Sequence, residues 1–134
     1  MTPFGARLRS LRAQHGLTLK AMAAEMQVSS AYLSALEHGR RGKPSTGLVH
    51  QVCEIFGLIW DQAEELAALA RISNPKITVN TAGLSPEQTA LANRLAQEIR
   101  RLPPSTVASI HAILDSSVPP PKARLRRAAG KARL

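Results

Sequence analysis

The chain of 134 residues has one cysteine, Cys53, so no disulfide can form within it, and a reducing cytoplasm is the expected setting. No stretch approaches the ~20 apolar residues that a membrane-crossing helix needs. The first residues also lack the long apolar run that follows the basic residues of a secretion signal. No glycine-rich phosphate loop is present, and no spacing of Ser, His and Asp suggests a catalytic triad. Glu64 and Glu65 are neighbours in sequence and so point away from each other on a helix, which excludes an acid/base pair. His50 and Cys53 lie one helical turn apart, but two ligands without a further cluster do not make a metal site, and Cys53 falls on an apolar stripe where packing explains it. The expectation is a protein with no catalytic site, no metal, no cofactor and no membrane contact, hence not an enzyme.

Basic charge, by contrast, is abundant. Eighteen lysines and arginines face nine acids, a net charge of +9, and a basic surface attracts polyanions through electrostatics that weaken with salt. The distribution is uneven. Residues 1–45 carry Arg7, Arg9, Arg12, Lys20, Arg40, Arg41 and Lys43 against Glu25 and Glu37, whereas residues 46–72 carry Arg71 against Glu54, Asp61, Glu64 and Glu65. A nucleic-acid surface therefore belongs to the first 45 residues.

Periodicity divides the chain. Phe4, Leu8 and Leu11 mark a helix over about 3–15, with Pro3 suited to its first turn and Gly16 to its end. Leu19, Met22, Ala23 and Met26 recur at steps of three and four after Thr18, an N-cap residue, predicting a helix over 18–26. Gln27, Val28 and Ser29 interrupt the pattern, Leu33 and Leu36 resume it, and Gly39 ends it, predicting a second short helix over 29–38. Two short helices three residues apart make a helix-turn-helix. Helices over 45–57 (Leu48, Val49, Val52, Cys53, Phe56) and 60–72 (Trp60, Ala63, Leu66, Leu69, Ala70) complete a five-helix domain, residues 1–72. Residues 73–84 read as a linker or a small paired strand, because Lys76 to Thr81 alternates after Asn74 and Pro75.

In residues 85–117, Ser85, Pro86 and Glu87 open a helix with Leu91, Leu95, Ile99 and Leu102 on one face. Pro103 and Pro104 stop it, and Ser105 is expected to cap a last helix bearing Val107, Ile110, Ile113 and Leu114. A hairpin of two amphipathic helices cannot bury both apolar faces alone. Another chain is the expected partner, through 85–115. Residues 118–134 hold three prolines, then Lys122, Arg124, Arg126, Arg127, Lys131 and Arg133 with no acid, a composition expected to be disordered when free.

Leu17, Thr18, Met22, Ala23, Val28, Ser29, Leu33, Ser34, Glu37 and Gly39 together resemble the Cro/CI-type, or xenobiotic-response-element-type, helix-turn-helix regulators of bacteria and phage. The likeness covers about residues 4–58. It implies an all-α, lambda-repressor-like five-helix domain that binds double-stranded DNA, followed here by the extended linker and the two-helix hairpin. Two positions depart from the family pattern: Gln27 stands where the turn usually has glycine, and Leu19 stands where a phosphate-binding glutamine is common.

The resemblance also implies roles. Ser30, Ala31 and Ala35 occupy base-facing positions, with Tyr32 and Ser34 at the edge of that reading surface. Ser29, Lys20, Arg40, Arg41 and Lys43 occupy positions beside phosphates, and Arg12 and Glu37 match a structural ion pair that joins the first helix to the reading helix. None of the base-facing side chains has the bidentate reach of arginine on guanine or glutamine on adenine, so groove shape and deformability are expected to carry part of the specificity. The leading expectation is a sequence-specific, homodimeric repressor of a pseudo-palindromic operator. The alternative is a protein-interaction module of antitoxin or antiactivator type that grips a protein partner, and a third reading is general nucleic-acid binding through the basic tail.

Overall fold

The computed structural model describes residues 1–118, so the expectation for the basic tail lies, from residue 119 onward, outside the described residues. All regular structure among them is helical. None of these helices is long and apolar enough to cross a membrane. The chain divides into two units, residues 1–78 and a second beginning at Val79.

In the first unit the first four helices start where a side chain replaces the backbone acceptor that a first turn lacks. Helix α1 (Pro3–Gln14) begins with the Gly5 N–H donating to Thr2 Oγ1 at 3.0 Å. In α2 (Leu19–Met26) the Ala21 N–H donates to Thr18 Oγ1 at 3.0 Å, and in α3 (Ser30–Glu37) the Tyr32 N–H donates to Ser29 Oγ at 3.0 Å. In α4 (Thr46–Phe56) Leu48 N–H donates to Ser45 Oγ at 3.1 Å. The apolar faces converge on one core that includes Phe4, Leu8, Leu11, Met22, Met26, Leu33, Leu36, Val52, Phe56 and Leu66.

Helix α5 (Asp61–Arg71) is the exception to this pattern of caps. It has no side-chain cap, and Trp60, expected at the head of its apolar stripe, lies before the helix with φ 52° and is 84% exposed. The cause is the turn that ends α4. Gly57 adopts φ 63° and the Leu58 N–H returns to the Cys53 carbonyl at 2.8 Å, so Leu58 rather than Trp60 enters the core. Leu66 and Ala70 hold α5 in place.

The ends of the unit are joined through Ser73. Its buried hydroxyl accepts the Phe4 N–H at 2.9 Å and donates to the Leu69 carbonyl. Nearby, Gly5 allows α1 to lie directly on the end of α3, since a Cβ built there would stand 2.2 Å from the Glu37 carbonyl oxygen. Backbone cannot swing aside as a side chain can. A Gly5→Ala variant is therefore expected to lose about 3 kcal/mol of stability, as overpacked sites do, and to melt roughly 10–20 °C lower by circular dichroism. An unchanged midpoint would mean that α1 and α3 separate at no cost.

Between the units, Ile77 to Asn80 pairs with no strand among the described residues, so the paired-strand option for Lys76–Thr81 is not realised there. Instead, asparagine side chains make local turns at either end: Asn74 Oδ1 accepts from Lys76 N–H at 3.2 Å and Asn80 Oδ1 from Ala82 N–H at 2.9 Å.

The second unit opens with α6 (Pro86–Glu98) behind a reciprocal cap, in which Ser85 Oγ accepts the Gln88 N–H at 3.1 Å and Gln88 Oε1 accepts the Ser85 N–H at 2.9 Å. One 3₁₀ turn, Ile99–Arg101, extends it to the prolines. Helix α7 (Pro104–Ser117) starts two residues earlier than expected. Pro103 takes the N-cap position and Ser105 lies inside the first turn, its carbonyl accepting from Ser109 Oγ at 3.0 Å, so Ser105 caps nothing. Proline needs no acceptor for its missing N–H, which suits Pro104 to that first position. No described residue of this unit is buried, and Leu91 and Ile113 are 58% and 62% exposed.

Candidate nucleic-acid interface

Helices α2 and α3 meet at Gln27, which takes the left-handed conformation (φ 58°, ψ 40°) that the family pattern gives to glycine. The turn closes because the Gln27 and Val28 N–H groups donate to the Ala24 and Ala23 carbonyls at 3.2 and 3.0 Å. A side chain in this region costs roughly 1 kcal/mol. The exposed Gln27 side chain needs no accommodation in the core.

Helix α3 is held by its buried face and presents the other. Leu33 and Leu36 are buried, Ser30 and Ala31 in the first turn are exposed, and Tyr32, Ser34 and Ala35 are half-buried. A helix of period 3.6 anchored at 33 and 36 turns 31 away from the core, while Ser30, one turn before Leu33 on the flank of the buried face, is exposed in the first turn. Ser29 uses an oxygen lone pair to cap the Tyr32 N–H, which leaves its own hydroxyl proton to donate outward. Lys20, Arg40, Arg41 and Lys43 are all exposed. The loop carrying the last three starts at Gly39 (φ 73°), where the Arg40 N–H closes the end of α3 by donating to the Ala35 carbonyl at 2.8 Å. A contact that sequence pattern does not signal lies here: the Arg41 guanidinium carbon stands 5.3 Å from the centroid of the Tyr32 ring.

Behind α3 sits a bidentate ion pair. Arg12 Nε donates to Glu37 Oε1 at 2.9 Å and Arg12 Nη2 to Glu37 Oε2 at 3.0 Å, while Arg12 Nη1 reaches the Leu17 carbonyl at 3.4 Å. The Glu37 side chain is 2% exposed and that of Arg12 15%. The pair ties α1 to the last turn of α3.

Elsewhere, a groove of about 730 Å³ runs between α4 and α5, with His50, Cys53 and Trp60 in its lining and no residue of α2 or α3. Cys53 is half-buried, and burial pushes its thiol above the ordinary value. Among the described residues no three His, Cys, Asp or Glu side chains converge as metal ligands would.

Comparison with known proteins agrees with this geometry. The family model described as a helix-turn-helix domain matches residues 3–69, half of the chain. The chain is 36% identical over 56 residues to the uncharacterized HTH-type transcriptional regulator RghRB of Bacillus subtilis, covering 42% of this chain and 40% of that protein. It is 37% identical over 61 residues to the HTH-type transcriptional repressor RghR of the same organism, covering 46% of this chain and 45% of the relative. The similarity thus spans less than half the length of these curated relatives. No solved structure matches the chain.

Proposed function

We propose that this chain, which belongs to the helix-turn-helix domain family, regulates transcription as a homodimeric repressor that reads a pseudo-palindromic operator with α3. The observation that carries this reading is the exposure of Ser30 and Ala31 in the first turn of a helix that Leu33 and Leu36 lock into the core, beside exposed cations on the adjoining segments. In helix-turn-helix docking the second helix enters the major groove with its N-terminal residues on base edges, and the first crosses the phosphate backbone. Ser30, Ala31, Ser34 and Ala35 then face bases, while the Ser29 hydroxyl, Lys20, Arg40 and Lys43 meet phosphates. Each phosphate neutralised steepens the fall of log K with log salt by about 0.9. Binding without a catalytic step or cofactor is the whole of the proposed activity.

Repression is supported by the name of one relative, the HTH-type transcriptional repressor RghR. Dimerisation through 85–115 is supported by the exposed Leu91, Ile99, Ile113 and Leu114, which neither α6 nor α7 buries. A second copy would cover them and set two α3 helices about 34 Å apart, one turn of DNA. Selection of bound sites from a random DNA pool, with mass measurement of the free and bound assemblies, tests both parts. The expected product is a pseudo-palindrome holding two chains. A pool that never enriches over competitor DNA defeats the reading. A single chain on a single half-site defeats the dimer, and an unequal protein partner in place of the second copy favours the interaction-module alternative.

A further inference from the structure

Helix α3 is poor in reach, since Ser30, Ala31, Ser34 and Ala35 extend no further than a γ-oxygen. None carries the fork of two hydrogen-bonding groups that distinguishes guanine or adenine in the major groove. Such a fork stands next to the helix. The chain leaves α3 at Glu37 and turns at Gly39, where the Arg40 N–H closes the helix end on the Ala35 carbonyl, and from there the Arg41 side chain reaches over Tyr32, its guanidinium carbon 5.3 Å from the ring centroid.

We propose that Arg41, positioned by the Tyr32 ring, is a specificity-determining residue of this interface and takes the N7 and O6 edge of a guanine in the major groove. The inference rests on the reading of α3 as the DNA-reading helix. Two properties separate Arg41 from the other loop cations, and a third, which it shares with them, leaves its donors available. A guanidinium over an aromatic face keeps its N–H groups pointing outward in its own plane, where a base edge can accept them. The same contact removes rotamers before DNA arrives, so less order has to be imposed on binding. Among the described residues, finally, no carboxylate pairs with Arg41 and competes for those donors. Among the described residues no ring lies beneath Arg40 or Lys43, and a phosphate, which needs only a charge, suits them.

A base contact and a phosphate contact leave different signatures. The wild-type site is first selected from a random DNA pool. Affinities for that site, and for versions with each G·C pair replaced, are then measured by fluorescence anisotropy for wild type, Arg41→Ala, Arg41→Lys, Tyr32→Phe and Tyr32→Leu. Wild type is expected to lose on the order of tenfold when one particular G·C pair of each half-site is replaced. Arg41→Ala and Arg41→Lys should lose that single preference and keep the others, with Arg41→Lys retaining the wild-type salt slope. Tyr32→Phe, which keeps the ring, should keep the preference for that G·C pair, and Tyr32→Leu should lose it as Arg41→Ala does. Arg41→Ala binding weaker to all sequences alike, or Arg41→Lys keeping every base preference, would overturn the assignment and place Arg41 on a phosphate. Failure of wild type to enrich any sequence would defeat the underlying reading of α3, and this inference with it. A selected site whose preferences survive every Arg41 variant would defeat this inference alone.

Discussion

An Arg12→Ala variant is expected to lose about 3–5 kcal/mol of stability, because it removes one partner of a buried ion pair and leaves the other charged. Both Glu37 carboxylate oxygens receive Arg12 donors, at 2.9 and 3.0 Å, and the carboxylate is 2% exposed. Without Arg12 that charge has neither a partner nor water. Domains of this size are stable by roughly 5–15 kcal/mol, so the loss is a large share of the total, and α3 would be released from α1 at its last turn. Urea denaturation followed by helical circular dichroism measures it. Fluorescence serves less well, since Trp60 is already in solvent. The double variant Arg12→Met with Glu37→Leu should regain most of the loss, since replacing a buried pair by apolar groups of similar volume is often neutral. An Arg12→Ala midpoint within error of wild type would mean that water reaches Glu37 and that the pair does not hold α3.

What the sequence discloses about this molecule is what is local. Thr18, Ser29, Ser45 and Ser85 announce their helices because a cap bonds a backbone N–H only three residues on, and Leu33 with Leu36 fixes which side of α3 is turned out. Periodicity misplaces Trp60 because it cannot register that the Gly57 turn sends Leu58 inward. The start of α7 is misplaced because Ser105 has the hydroxyl of a cap, whereas proline at the first position needs no capping bond for a missing N–H and lets the helix begin at Pro104. Contacts across distance leave no local trace. Ser73 meets the Phe4 N–H across 69 residues, Gly5 meets the Glu37 backbone, and Arg12 meets Glu37 across 25 residues. The last of these was expected only through family likeness. The contact of Arg41 with Tyr32 leaves no signal in the spacing, since it depends on how far the Arg41 side chain reaches after the turn at Gly39.

Replacing Ala31 by glutamate is expected to abolish specific DNA binding while leaving the fold intact. The residue is exposed in the first turn of α3 and packs against nothing in the core. Glutamate is a good helix former, and an acid in a first turn interacts favourably with the helix dipole, so helical signal and melting temperature should hold or rise slightly. At the DNA the same side chain sets a carboxylate against base edges and between two phosphate strands. Like-charge placement of that kind costs several kcal/mol, a loss of about 100-fold or more at moderate salt. Anisotropy titrations on the selected site measure it, and Ala31→Gln separates charge from bulk, because the neutral side chain of equal length should retain a substantial part of the affinity. The deficit of Ala31→Glu should also narrow as salt rises, since screening weakens repulsion as it weakens attraction. If the six cations after Val118 dominated binding instead, Ala31→Glu would bind every sequence as wild type does, and the reading surface assigned to α3 would be wrong.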